Sequence, residues 1–213
     1  MTYGGNERAE PGYVPGLHLR VLLEERRLLV QQGGIILLDV PASVGRADTL
    51  WYRGREWTFA TPPGRRVVRA KEADPVWTPP DWHYAERAKQ NNWELVQLQR
   101  GGTIALADGS RLTVRGQRVV RVLPGGRSEP VPLDEDIVLG DVLVVPPFGT
   151  ANRRLRGELG RFKLDLGDGY LIHGTPREET IGGATTHGCV HLADEHLEML
   201  FQHIPLGTSV FIY

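Results

Sequence analysis

Alternating apolar and polar residues near the start of the chain predict β-strands. Apolar residues occupy every second position from Leu17 to Leu23, which is the spacing of a half-buried strand. A Gly33-Gly34 pair then precedes the largely apolar stretch Ile35–Val40, and this order predicts a β-hairpin. A helix over Leu17–Val30 is the alternative, because leucine, glutamate and arginine favour helices. The glycine break favours strands, and the polar residues 1–16 are expected to form a flexible tail.

The same kind of pattern recurs in the middle of the chain, over residues 94–146. Three strand-like segments, Thr103–Leu106, Arg111–Val114 and Arg118–Val122, are separated by short turns that contain glycine. They predict a β-meander inserted into the domain, and Ile137–Val145 is expected to add a further pair of strands. The basic first half and acidic second half of this segment are typical of a solvated surface. A lid is the alternative function for the insertion.

The last third of the chain predicts two strands, one helix and a final strand. From Arg161 to Leu166, apolar residues alternate with charged ones, and Tyr170–Ile172 returns as a second strand. Asp194 begins a helix with its apolar residues on one face, and Ser209–Tyr213 forms the last strand. Taken together, the patterns predict a mainly-β fold with one C-terminal helix, organised as a single domain over residues 17–213.

Composition supports this fold and excludes several classes of partner. The chain has 213 residues, of which 40% are hydrophobic, and its 26 glycines and 15 prolines favour many short strands. A net charge of −1 gives no reason to expect nucleic acid as a partner. The longest apolar runs, such as Ile35–Leu38, are too short for a transmembrane segment or the core of a signal peptide.

The candidate chemistry centres on Cys189, which is the one cysteine of the chain. His187 and His191 flank it, and His173 follows the second strand of the C-terminal part. A thiol is nucleophilic as the thiolate, and a neighbouring imidazole is the usual means of removing its proton. Gly188 allows a substrate to approach the backbone closely. The N–H groups of Gly188 and Cys189 are therefore expected to form an oxyanion hole, worth about 3 kcal/mol per donor.

Two other functions for this cysteine have to be weighed. A lone cysteine in a folded protein is often a small buried side chain that serves only in packing. The spacing of His187, Cys189 and His191 also matches three ligands of a catalytic zinc ion. Against zinc, no other cysteine or carboxylate cluster lies close in sequence. We therefore expect a thiol site with no metal and no cofactor.

The stretch from Tyr170 to Tyr213 resembles the C-terminal half of the L,D-transpeptidase (YkuD-type) catalytic domain. The signature of that family is a His-Gly-Thr step followed, after a loop, by Ser/Thr-His-Gly-Cys. This chain has Ile172-His173-Gly174-Thr175 and then Thr186-His187-Gly188-Cys189. The segments Thr61-Pro62-Pro63-Gly64 and Asp74–Trp82 also resemble the family. The resemblance implies an L,D-transpeptidase-type β-sandwich with one C-terminal helix and an inserted β-meander.

The resemblance also implies a role for each residue of the motif. Cys189 is expected to be the nucleophile and His173 the general base, oriented by the backbone carbonyl of Gly174. His187 is expected to support the loop and the substrate carbonyl. The residues expected to contact substrate are Thr175, Thr186 and His191.

One position departs from the family pattern. The family usually has arginine or asparagine two residues after the cysteine, where it engages a substrate carboxylate or braces the loop. This chain has His191 there. An imidazole is at best partly charged near neutral pH and makes no bidentate contact of the guanidinium kind.

The function implied by the resemblance is the formation of 3→3 cross-links between peptidoglycan stem peptides through a cysteine thioester. An L,D-carboxypeptidase or endopeptidase that uses the same acyl-enzyme is the first alternative, and a non-catalytic wall-binding module is the second. Stem peptides are the expected partners, and β-lactams of the carbapenem class the expected inhibitors. The implied location is the bacterial cell envelope, periplasmic or extracellular, in which case a leader was removed or lies upstream of this sequence.

Overall fold

The computed structural model describes residues 14–213. Most of the predicted tail, residues 1–16, lies outside this part of the chain. The described residues form two compact units. The first contains the residues up to Thr49, together with Thr58–Pro75 and Gly157–Tyr213. The second contains Leu50–Trp57 and Val76–Arg156, and it includes the segment predicted to be an insertion.

The fold is mainly β, as the sequence predicts. The first strands are β1 (Leu17–Leu22), β2 (Arg27–Gln32), β3 (Ile35–Pro41), β4 (Val44–Gly45), β5 (Thr49–Tyr52), β6 (Arg55–Thr58), β7 (Gly64–Val67), β8 (Ala70–Ala73), β9 (Val76–Trp77), β10 (Glu94–Gln97) and β11 (Thr103–Ala105). The others are β12 (Arg111–Arg115), β13 (Arg118–Val122), β14 (Ser128–Pro130), β15 (Ile137–Leu139), β16 (Val142–Val145), β17 (Leu155–Arg156), β18 (Phe162–Asp165), β19 (Leu171–His173), β20 (Ala184–Thr186), β21 (Val190–His191) and β22 (Ser209–Ile212). The helices are α1 (Asp81–Asn91) and α2 (Asp194–His203). Short 3₁₀ segments cover Ala151–Arg153 and Glu178–Thr180. No helix within residues 14–213 is long and apolar enough to cross a membrane.

Two sheets build the first unit. One has the strand order β3-β2-β1-β22-β7, in which β1 pairs antiparallel with β2 and parallel with β22. The other has the order β21-β19-β18-β8, and its β19 and β21 are parallel. The short strand β4 pairs with β20. The second sheet carries the His-Gly-Thr step and the cysteine segment on neighbouring strands.

The core of the first unit draws on both sheets and on α2. Leu19 and Val21 of β1 are fully buried with Leu164 of β18 and Ile172 of β19, in one cluster that also contains Leu197 of α2. Burying a side chain of this size stabilises the fold by about 1.5–3 kcal/mol. This arrangement of two sheets around a shared core is the predicted sandwich.

In the second unit, β11–β14 form a four-stranded antiparallel sheet in sequence order. The three-stranded meander expected there is confirmed, and β14 adds a fourth strand. The expected strand pair near residues 137–145 is β15 and β16, which pair antiparallel, and β10 pairs parallel with β16.

The predicted C-terminal helix is α2, and helix α1 is a second helix that the sequence analysis did not predict. Its buried face consists of Tyr84, Ala85 and Ala88, so the apolar signal is weak in the sequence. Pro80 is the N-cap residue and has an extended conformation, and Asn92 ends the helix in the left-handed conformation, with φ 55°. The residues at the two ends of α1 were the sequence signal that could have indicated this helix.

Candidate functional site

The site lies in the second sheet of the first unit, on two adjacent parallel strands. In the register of β19 and β21, His173 lies opposite His191. Cys189 directly precedes β21, which pairs with β19, so its segment lies beside the strand that ends at His173. The Cys189 sulfur is hydrogen-bonded to the Leu171 backbone on that strand. The fold therefore brings together the histidine and the cysteine that the sequence separates by a loop.

His173 is oriented by the carbonyl of the next residue. Its Nδ1 lies 2.6 Å from the Gly174 oxygen. A carbonyl only accepts hydrogen bonds, so Nδ1 carries the proton and Nε2 offers a lone pair. The side chain is buried, and this burial lowers the pKa of His173 to about 4, with a smaller effect in the same direction from Lys163 and an opposing one from the Gly174 bond. The imidazole is therefore neutral and competent as a base near neutral pH.

Gly174 has no room for a side chain. A Cβ atom there would lie 2.2 Å from Oδ1 of Asp194 and 3.0 Å from the Cα of Gly160. Asp194 itself begins α2, and its Oδ1 accepts a hydrogen bond from the Arg161 backbone N–H. The start of α2 thus packs directly on the backbone whose carbonyl orients the histidine.

Cys189 is a protonated thiol at rest. It retains partial solvent exposure but is crowded by protein atoms, and this burial raises its pKa to about 11. The hydrogen bond from the Leu171 backbone opposes the shift, and Asp165 adds to it. Because burial disfavours both charged forms, the resting pair is a thiol and a neutral imidazole. The proton must move during the attack on a substrate.

The loop that carries the cysteine is braced by Thr186. The buried Thr186 hydroxyl donates to the Cys189 carbonyl at 2.6 Å and accepts the Gly188 N–H at 3.1 Å. Gly188 has a φ of 126°, a conformation that favours glycine. The Gly188 N–H, expected in the oxyanion hole, is engaged by Thr186 in this structure. It would have to exchange that partner in order to bind a substrate oxyanion.

A second brace comes from a distant part of the sequence. The hydroxyl of Thr61 donates to the Gly188 carbonyl at 2.9 Å and accepts the backbone N–H of Gly45 at 2.8 Å. Sequence analysis singled out Thr61 only as part of a turn motif. Its role in the site depends on the folded path of the chain.

His187 packs against residues that sequence analysis did not single out. Its ring meets Phe59 edge to face, with centroids 4.6 Å apart. Nε2 of His187 lies 3.1 Å from Nη1 of Arg46. Arg46 follows β4, so these contacts arise where β4 pairs with β20.

The residues expected to contact substrate have specific positions. Thr175 is buried, and its hydroxyl accepts the Arg177 backbone N–H at 3.1 Å. The His191 ring lies 4.3 Å from the His173 ring, centroid to centroid. Burial lowers the pKa of His191 to about 2, and the nearby His173, Arg177 and His187 act in the same direction. The His191 ring thus packs on the His173 ring, and burial disfavours its charged form.

The geometry does not favour the zinc alternative. In residues 14–213, no group of three histidine, cysteine, aspartate or glutamate side chains is arranged to hold a metal ion. His187 directs Nε2 to Arg46, and His191 packs on His173. These contacts point the flanking histidines at protein groups.

Comparison with known proteins identifies the family of this chain. A model of the L,D-transpeptidase catalytic domain family, YkuD, matches residues 17–212. The protein named Probable L,D-transpeptidase YbiS of Escherichia coli (strain K12) is 42% identical over 52 residues, which are 24% of this chain and 17% of that protein. Probable L,D-transpeptidase ErfK/SrfK of Salmonella typhimurium is 37% identical over 54 residues, 25% of this chain and 18% of that protein. The matched segment therefore spans less than a fifth of these relatives.

Among solved structures, L,D-transpeptidase 3 from Mycobacterium tuberculosis in complex with a faropenem-derived adduct is similar, with 15% identity and a TM-score of 0.48. The similarity covers 93% of this chain and 60% of that one. The fold and the site define a mainly-β class of protein in which a cysteine segment lies beside a strand that ends at a backbone-oriented histidine. The family model covers nearly all of the chain, and the chain belongs to the L,D-transpeptidase catalytic domain family.

Proposed function

We propose that this protein is a peptidoglycan L,D-transpeptidase that works through a thioester on Cys189. The observation that carries the proposal is the hydrogen bond from His173 Nδ1 to the Gly174 oxygen, which leaves Nε2 unprotonated at the end of the strand that pairs with the cysteine segment. Membership of the family supports the same reaction.

In the first half of the reaction, the Cys189 sulfur attacks the carbonyl carbon between the third residue and the terminal D-alanine of a tetrapeptide stem. The thiol proton passes to Nε2 of His173 as the C–S bond forms. When the tetrahedral intermediate collapses, the C–N bond breaks and His173 returns the proton to the departing amine. D-alanine leaves, and the third residue remains on Cys189 as a thioester.

The buried site makes the charged histidine short-lived. Burial lowers the pKa of His173 to about 4, so an imidazolium there is an acid strong enough to protonate the leaving amine. The negative charge that develops on the substrate oxygen offsets the imidazolium charge during the step. The resting neutral pair therefore favours proton transfer within the reaction over a stable thiolate.

In the second half, an amine of a neighbouring stem attacks the thioester. His173 accepts a proton from this amine, the C–S bond breaks, and the thiol is restored. The product is a 3→3 cross-link. If water attacks instead, the product is a tripeptide and the enzyme is an L,D-carboxypeptidase. The two outcomes differ in whether an amine or water reaches the thioester, so they are separated by their products.

The experiment is incubation with tetrapeptide-bearing muropeptides, followed by mass spectrometry. Cross-linked dimers together with released D-alanine are expected. Tripeptide without dimer would show the hydrolase, and unchanged substrate would support a non-catalytic wall-binding module. The cell envelope is the corresponding location, where stem peptides are found. Carbapenems should acylate Cys189, since they present a strained carbonyl to the same nucleophile.

A further inference from the structure

The backbone of Arg46 is hydrogen-bonded to residues 186–189, the loop that carries the proposed nucleophile Cys189 and is called the nucleophile loop below. It follows β4 directly, and its N–H donates to the Thr186 carbonyl at 3.0 Å. The next residue of the loop is His187, whose side chain lies against the Arg46 side chain. The two side chains are thus held together by pairing of their backbones.

Asp48, Phe59 and His187 all contact the Arg46 guanidinium. Its Nε donates to Oδ1 of Asp48 at 2.7 Å, and its Cζ lies 4.5 Å from the centroid of the Phe59 ring. Its Nη1 lies 3.1 Å from Nε2 of His187, whose ring also packs edge to face on Phe59. A planar guanidinium held by a carboxylate and an aromatic face has little freedom to turn away from the imidazole.

This contact determines which nitrogen of His187 carries a proton. A guanidinium has only donors, so Nε2 of His187 must be the acceptor. In a neutral imidazole, the proton then lies on Nδ1, next to the backbone. The Nε2 lone pair, which a base would use, is then engaged by Arg46.

We propose that Arg46 is a positioning residue that holds His187 in its Nδ1–H form beside Cys189 and prevents it from acting as a base. His173 and His187 are both close to Cys189, the first through strand pairing and the second in sequence. Hydrogen bonds separate their roles: the Gly174 carbonyl leaves Nε2 of His173 with a lone pair, and Arg46 occupies the corresponding lone pair of His187. His187 is then a hydrogen-bond donor on its backbone side.

Nitrogen-15 NMR of the histidine rings tests the tautomer directly, since long-range couplings distinguish Nδ1–H from Nε2–H. The His187→Gln variant identifies the His187 signals. In the unmodified protein, His187 should be in the Nδ1–H form at neutral pH. If His187 of the unmodified protein is in the Nε2–H form, the proposal is wrong. This NMR measurement does not depend on enzymatic activity and therefore does not depend on the proposed function.

Variants test whether Arg46 is the cause. Arg46→Met removes the N–H donors of the side chain but keeps a similar side-chain length, so most His187 side chains should then be in the Nε2–H form. Arg46→Lys keeps a hydrogen-bond donor, so His187 should remain in the Nδ1–H form. Asp48→Asn removes the charged anchor of Arg46 and should lower the Nδ1–H fraction without removing a donor. Arg27→Gln is the matched control, because Arg27 forms a comparable pair with Asp39 at 2.6 Å on β2 and β3. An unchanged tautomer in folded Arg46→Met, or a loss of Nδ1–H in Arg27→Gln, would contradict the proposal.

The catalytic consequence rests on the proposed function. Arg46→Met should slow acylation of Cys189 by imipenem by up to about 100-fold, because a misplaced His187 shifts the loop that carries the nucleophile. Arg46→Lys should recover most of the rate. A changed tautomer with an unchanged acylation rate would contradict the positioning role, while absence of acylation in the unmodified protein would contradict the proposed function instead.

Discussion

The hydroxyl of Thr61 donates a hydrogen bond to the carbonyl of Gly188 at 2.9 Å, across 127 positions of sequence. The same hydroxyl accepts the Gly45 N–H, so one side chain joins β4 to the nucleophile loop. A side chain cannot fit at Gly45, where a Cβ would lie 2.5 Å from the Thr61 nitrogen. The loop that carries Cys189 is thus supported by a contact made from a different part of the chain.

Thr61→Val should weaken this support. The substitution leaves a buried Gly45 N–H and the Gly188 carbonyl without their partner, which costs about 1–3 kcal/mol. Acylation by imipenem should also slow by about tenfold or more, because the loop loses its fixed position. Thr208→Val is the control, since Thr208 makes a similar bond to the Pro205 carbonyl at 2.8 Å. Equal acylation rates in the two variants would show that Thr61 does not position the site.

Cys189→Ala should abolish the covalent adduct with a carbapenem, since no second cysteine exists in the chain. His173→Ala should slow acylation by about 10²–10⁴-fold through loss of the base. Intact-mass spectrometry over time measures both. An adduct on Cys189→Ala, or an unchanged rate in His173→Ala, would remove these residues from their assigned roles.

The acylation rate should change little between about pH 5 and pH 9. His173 has a pKa lowered to about 4 and Cys189 one raised to about 11, so neither changes its charge in this range. The second-order rate constant for imipenem, which reports the free enzyme, is the quantity to measure. A fall in rate on the acid side with a midpoint near the ordinary histidine pKa of about 6.5 would show that His173 is not shifted by burial.

Stability should decrease as the pH falls from about 6.5 to about 4. The unfolded state binds a proton at His173 in this range, with an ordinary pKa of about 6.5, while the folded state resists it with a pKa of about 4. The contribution of His173 is therefore fully present above pH 6.5 and is lost as the pH falls, by about 3 kcal/mol. Urea unfolding of the unmodified protein and His173→Gln across this range measures it. Parallel curves for the two proteins would contradict the prediction.

His191→Arg should destabilise the protein by about 2 kcal/mol, because a permanent charge would be placed against the buried His173 ring. Burial keeps His191 neutral, so its protonation should not affect how fast the unmodified protein turns over the donor stem peptide. The donor turnover rate should therefore show no decrease with a midpoint near pH 6.5 as the pH rises. Donor kinetics for both proteins from about pH 5.5 to 8.5 are the measurement. If the unmodified protein shows such a decrease and His191→Arg does not, the result would support a role for His191 in binding a substrate carboxylate.

Much of the fold and the motif could be predicted from the sequence. The alternation from Leu17 to Leu23 predicts β1, and the glycine pair predicts the β2–β3 hairpin, because side chains on a strand alternate between its two faces. Helix α1 was missed because its buried face is mostly alanine, which gives a weak apolar signal. The His-Gly-Thr and Thr-His-Gly-Cys steps identify the family because they are local runs of sequence.

What only the tertiary structure decided is the environment of those residues. The sequence alone determined that one cysteine is flanked by histidines and that His173 follows a strand. It did not determine that Thr61 and Arg46 contact the nucleophile loop, because these contacts depend on the path of the chain between distant segments. Nor did it determine that Cys189 and His173 are neutral at rest, because desolvation depends on the number of atoms that the whole fold packs around each group.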